Sequence, residues 1–129
     1  MKLIIAGSRD ISPTTAQIDA CLDKFFIKKF DIDEVVSGTA RGGDKAGEAW
    51  AERYEINCFQ MPANWKKYGK AAGIIRNERM GYYADAALVF IHNASRGSTH
   101  MANFMIGLKK PTYIVFVENG KIICLADFN

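Results

Sequence analysis

The sequence predicts an α/β fold: a parallel sheet of about five strands, helices on both faces, and a short antiparallel strand at the C-terminal edge. Three observations carry this expectation. Apolar runs at Leu3–Ala6, Glu34–Ser37, Ile56–Met61, Ala86–Ile91 and Thr112–Val117 alternate with stretches of helical periodicity. Polar turns at Gly7-Ser8-Arg9, Gly38 to Asp44 and Ser95 to Thr99 follow strands and lead toward helices. Glu118-Asn119-Gly120-Lys121 is a hairpin signal, because Asn-Gly readily takes positive φ at both central turn positions.

At 129 residues the chain fits one domain, residues 1–129, around one core. Its 49% hydrophobic and 24% charged residues exclude a disordered or fibrous chain. The net charge of +3 favours anionic ligands but is too mild to argue for nucleic acid by itself. No apolar run reaches the length of a signal peptide or membrane span, so a cytoplasmic protein with no membrane partner is expected. Cys21, Cys58 and Cys124 are odd in number, widely spaced and set in apolar surroundings, and read as reduced core thiols. His92 and His100 lack companions at ligand spacing, so neither a metal nor a cofactor is expected.

Taken in order, Leu3–Ala6 is a buried first strand opening into a polar loop. Ser12-Pro13 starts a helix, since serine caps and proline suits the first helical position. Ile18, Cys21, Leu22, Phe25 and Phe26 recur at helical spacing to about Lys29. After the Glu34–Ser37 strand a helix runs from about Gly43 to Tyr54, with Ala46, Ala49 and Trp50. Ile56–Met61 is the third strand. Pro62 to Lys70 is a basic, aromatic loop, and the next helix covers about Ala71 to Tyr83. Ala86–Ile91 and Thr112–Val117 flank a helix ending near Leu108, and Lys121–Leu125 closes the sheet edge.

In such sheets ligands bind outside the carboxyl ends of the strands, at the switch point, so the three polar turns should share one edge. Gly38, Gly42 and Gly43 permit a sharp turn with uncovered N–H groups, and the following helix start carries roughly half a positive charge. A phosphate-bearing ligand is the expected guest. The spacing matches neither Gly-x-Gly-x-x-Gly nor the P-loop. Candidate contacts are Gly7, Ser8 and Arg9 in the first turn and Gly38, Thr39, Arg41, Gly42, Gly43 and Asp44 in the second. Arg96, Gly97, Ser98 and Thr99 form the last turn, and Arg76 with Asn77 adds charge and amide groups from a helix. Arg9 either grips phosphate or pairs with Asp10 or Asp44. Asp44, Ser98 and Thr99 serve equally as helix-start residues. Trp65 and Tyr68, among Lys66, Lys67 and Lys70, either stack a base or pack the loop onto the sheet; the pattern also suits single-stranded nucleic acid.

These turns, together with Arg76-Asn77-Glu78-Arg79-Met80 and Ser95-Arg96-Gly97-Ser98-Thr99-His100-Met101, resemble the YspA/YpsA-related branch of the SLOG superfamily over nearly the whole chain. The resemblance implies a Rossmann-like fold and a pocket for nucleotides or their derivatives. The superfamily takes in the Lonely Guy phosphoribohydrolases, the DNA-processing protein DprA and sensor domains for ADP-ribose-derived signals. The small single-domain form is also similar to versions carried by bacteriophages, for which sequestering a host defence signal is a coherent role, and related proteins often form homodimers. The Lonely Guy pattern pairs Arg-Lys-x-x-Met with Pro-Gly-Gly-x-Gly-Thr-x-x-Glu. Arg76 and Met80 match the first; Gly97 and Ser98 align with Gly-Thr, and the catalytic glutamate falls on Met101. A thioether can neither take a proton nor stabilise an oxocarbenium by charge. The expectation is therefore a nucleotide-derivative binder, with ADP-ribose or a relative preferred as ligand. N-glycosidic hydrolysis requires Glu78, Asp44 or Asp10 to substitute beside Arg76, and a DprA-like single-strand binder is the remaining alternative.

Overall fold

The apolar runs pair into one six-stranded sheet in a computed structural model that describes all 129 residues. The strands are β1 (Lys2–Gly7), β2 (Glu34–Ser37), β3 (Asn57–Gln60), β4 (Ala86–Ile91), β5 (Thr112–Glu118) and β6 (Lys121–Phe128). Their order is β3-β2-β1-β4-β5-β6, parallel except for the antiparallel β5–β6 pair. The Rossmann-like expectation is met. Chain growth reverses direction between β1 and its neighbour β4, which puts the switch-point crevice at their carboxyl ends.

Five helices cover the sheet: α1 (Thr15–Lys24), α2 (Gly43–Arg53), the single turn α3 (Trp65–Tyr68), α4 (Ala72–Tyr83) and α5 (Arg96–Gly107). Alternation along β1 sends Leu3 and Ile5 to the α1/α2 face with Trp50, and Ile4 and Ala6 to the α4/α5 face with Met80, Met101 and Met105. Residues 86–91 are buried throughout, the burial expected of a central strand covered on both faces. No helix is long and apolar enough to cross a membrane.

The two ends of α1 depart from the sequence expectation. The cap of α1 is Thr14, not Ser12, because Thr14 and Gln17 form a reciprocal capping box. The helix stops at Lys24 rather than Lys29. Phe26 takes φ +60°, Ile27 N–H returns to the Leu22 carbonyl and Phe26 N–H to that of Asp23, a Schellman ending. Phe26 is consequently 92% exposed instead of in the core, while Leu22 and Ile27 are buried together. The same closure ends α2 at Glu55 (φ +56°) and α5 at Lys109 (φ +60°).

Only Cys21 is a core thiol, and burial pushes it up to about 11. Cys58 and Cys124 are exposed. They lie on β3 and β6, the two edge strands, which neighbouring elements cover incompletely.

Candidate functional site

A groove of about 930 Å³ opens at the carboxyl ends of β1 and β4 and is walled by α4, α3 and the start of α5. Its floor is apolar, with Ala6, Met80 and Met101. Its rim carries Arg9, Lys70, Arg76 and Arg96. The volume is in the range of pockets that enclose small molecules, roughly 300–1,000 Å³.

The ends of β1 and β4 are tied by hydroxyl contacts. Ser8 Oγ accepts the His92 N–H at 2.9 Å and shares a 2.6 Å hydrogen bond with Ser95 Oγ. Ser95 occupies the cap position of α5 without capping it. The first-turn N–H groups at Arg96, Gly97 and Ser98 therefore keep no side-chain cap, and all three residues line the groove. Asn93 (φ +53°) and Ala94 (φ +46°) lead into this start. Asparagine tolerates the left-handed region, but Ala94 there carries strain of about 1–2 kcal/mol, of the kind found where function fixes the backbone. Asn77 is buried and braces the same turn, donating to the Gly97 carbonyl at 3.1 Å and lying 3.2 Å from His100 Nδ1.

The start of α2 is built differently. A Cβ on Gly43 would lie 2.2 Å from Gly7 Cα, and one on Gly42, where φ is +82°, would lie 2.3 Å from the Ser8 carbonyl oxygen. Gly43 N–H donates to that same carbonyl at 3.1 Å. These two glycines thus serve contact between helix and central strand, and neither lines the groove.

Asp44 belongs to this junction. Its carboxylate accepts the N–H groups of Gly7 and Ala40, both at 3.2 Å. Burial pushes it above the ordinary carboxylate range, against the pull of Arg76 and of those two donors. Arg76 is itself half-buried; burial and the like charge of Arg9 weigh against its charged form, and Asp44 supports it. It donates through Nη1 to the Gly38 carbonyl and through Nε to Asn77 Oδ1. Gly38 makes room for it, since a Cβ there would lie 2.6 Å from Nη1.

Of the residues expected from sequence, the groove brings together Gly7, Ser8, Arg9, Asp44, Trp65, Arg76, Asn77, Arg96, Gly97 and Ser98. Gly38, Thr39, Arg41 and Thr99 lie outside its lining, as does Glu78, the candidate acid beside Arg76. Arg9 pairs with neither Asp10 nor Asp44; its guanidinium sits 5.9 Å from the centre of the half-exposed Trp65 ring. Sequence reasoning missed Ser95, Asn93, and the Asp10–His92 pair at 2.7 Å. Positions 10 and 92 meet only because β1 and β4 are neighbours. Ser95 carried a local signal, as a serine before a helix, and Ser8 was already a candidate in the first turn; their bond to each other depends on β1 and β4 being neighbours.

The family model described as "YspA, cpYpsA-related SLOG family" matches residues 1–68, which contain β1 to β3, both glycine turns and α3. The Gene 61 protein of Mycobacterium phage D29 is 32% identical to this chain over 105 residues, covering 77% of this chain and 83% of that protein.

Proposed function

Because the chain belongs to the YspA, cpYpsA-related SLOG family, we propose that the groove binds a nucleotide-derived, phosphate-bearing ligand of the ADP-ribose or nucleoside-phosphate class. Family membership points to binding or processing of nucleotide-related molecules. The observation that carries the binding reading is the uncapped start of α5, whose first three residues line a groove that Arg9 and Arg76 line as well. Partial positive charge and unclaimed N–H groups favour a phosphate there, and arginine forks add charge-assisted hydrogen bonds. Trp65, backed by Arg9, offers a ring face to a base or ribose.

Catalysis by the glutamate of the Lonely Guy pattern is absent from this proposal. Met101 holds that position, 1% exposed on the apolar floor. The carboxylates that do line the groove are occupied, Asp44 by two backbone donors and Asp10 by His92. The protein acts in this reading as a sensor or sequestering protein, and its similarity to a phage protein favours a role in phage–host signalling.

Thermal shift against AMP, ADP-ribose, cyclic ADP-ribose isomers and single-stranded oligonucleotides tests the reading. A true ligand at a hundredfold its Kd adds about 2.7 kcal/mol, which is about 10 °C for a chain of this size. If no nucleotide derivative raises Tm, the reading fails; if only oligonucleotides do, the nucleic-acid alternative replaces it. Free base released from a nucleoside monophosphate would establish hydrolysis instead.

A further inference from the structure

We propose that a second cavity, between the β1–α1 loop and the β5–β6 hairpin, is a subsite for a planar nucleobase-like ring joined to the phosphate in the main groove; this rests on the groove binding a nucleotide derivative. The cavity measures about 330 Å³, near the lower end of the range for ligand pockets and enough for one heterocycle with its sugar. Asp10 and His92 line both cavities, so the two meet across the Asp10–His92 pair. The main groove lies on the α4/α5 side of the sheet and the second on the α1/α2 side, judged by the core each adjoins: Met80 and Met101 for one, Phe90 and Val117 for the other. A ligand using both straddles the sheet edge at the switch point.

The chemistry of the walls selects a flat ring with a polar edge. Ile11, Pro13, Phe90, Val117 and Ile122 supply apolar surface. Asn119 supplies an amide donor and acceptor, and the Asp10 oxygen not shared with His92 supplies an acceptor, groups that pair with ring nitrogens and exocyclic amino groups.

Two features hold the space open. The Gln17 amide is held by the capping box, where its oxygen accepts the Thr14 N–H, and its nitrogen lies 3.5 Å from the Gly120 carbonyl of the hairpin, a residue that also lines the cavity. The β5–β6 ladder also shifts register between Phe116 and Val117, so that Val117 pairs with Ile122 although Phe116 pairs with Cys124. The irregularity leaves Ile123 60% exposed and sets Ile122 opposite Val117, where both line the cavity. Bulges of this kind re-aim side chains beside sites.

Calorimetric titration of the full chain with ADP and with diadenosine diphosphate separates the two cavities, because the probes differ in one nucleoside. Ile122→Trp fills the second cavity, and Ile11→Trp does so from a loop if the first variant fails to fold. The expected result is about tenfold tighter binding of diadenosine diphosphate than of ADP by the unmodified protein, within what burial of one base contributes, with either variant removing that advantage and leaving ADP within about twofold. Equal affinity of the two probes, or a variant that weakens both alike, overturns the subsite while leaving the groove intact. If neither probe binds, the groove reading fails and the subsite with it.

Discussion

Gly43→Ala decides whether the first glycine-rich turn serves packing or a ligand. Added to Gly43, a Cβ would meet Gly7 at 2.2 Å from Cα, 2.6 Å from N and 2.8 Å from the carbonyl carbon. Carbon atoms prefer separations of about 3.5–4.0 Å, so α2 must retreat from β1 by about 1.5 Å. All three neighbours are backbone of the central strand, and none can rotate aside. Overpacking of this sort costs about 1–3 kcal/mol. The retreat also stretches Gly43 N–H to Ser8 O and Gly7 N–H to Asp44, and losing one buried partner costs about another 1–3 kcal/mol. Alanine returns up to about 1 kcal/mol of helix propensity. The net expectation is a loss of about 3 kcal/mol and a Tm lower by about 10 °C. Urea denaturation and thermal melting followed by far-ultraviolet circular dichroism measure it. Gly97→Ala is the internal control: its Cβ would meet nothing within 4 Å, and stability should be unchanged or rise by up to about 1 kcal/mol from the same helix propensity. If Gly43→Ala melts with the unmodified protein but loses a nucleotide ligand, the turn is a phosphate cradle and the packing argument is refuted.

Other perturbations have equally defined outcomes. Gly97→Val should fold normally, since its Cβ meets open space, yet weaken a phosphorylated ligand about tenfold or more by covering the α5 start; unchanged affinity in calorimetry would move the phosphate elsewhere. Phe26→Gly should raise stability by about 1 kcal/mol, because the residue is 92% exposed at φ +60° and has strain but almost no packing to lose. Burial opposes ionisation of Asp19, but Tyr54, the Trp50 indole and Lys29 together hold its carboxyl below 3.8. Its contribution is thus complete above the ordinary carboxylate range and lost as pH falls through the lower folded value; Asp19→Asn should flatten that acid limb in melts from pH 5 downward to about pH 2. Alkylation of the native protein should label Cys58 and Cys124, with Cys21 modified only on unfolding; fast labelling of all the thiols at pH 8 would contradict the burial that raises Cys21 to about 11.

Fold and sheet edge were legible because period and punctuation are local signals. Residues 86–91 read as a buried strand from composition alone, and Asn119-Gly120 marked the hairpin. The end of α1 was less legible because it closes through Phe26, an apolar residue rather than the glycine that usually occupies a left-handed cap, whereas the ends of α2 and α5 near Tyr54 and Leu108 were read to within a residue. Phe26 then counted toward an apolar stripe that the chain had already left. Cys58 and Cys124 sit in apolar strings, but strand order decided their exposure, and a strand's own sequence does not say whether it is an edge.

The site shows the same division between local and long-range information. Both α2 and α5 begin after parallel strands, and both lack a side-chain cap. Local sequence gives the two starts the same appetite for an anion, and glycine content favours α2. Packing reverses the preference. The Gly42–Gly43 pair lets β1 press against α2 and fill its start with a backbone carbonyl, whereas the Ser8–Ser95 bond turns the cap hydroxyl of α5 aside and leaves that start open. Ser8 takes part in both arrangements, giving its carbonyl to Gly43 and its hydroxyl to Ser95 and His92. The end of β1 therefore decides which helix start is free to meet a ligand, and Asp44, which lines the groove, also holds that end in place by accepting the Gly7 N–H.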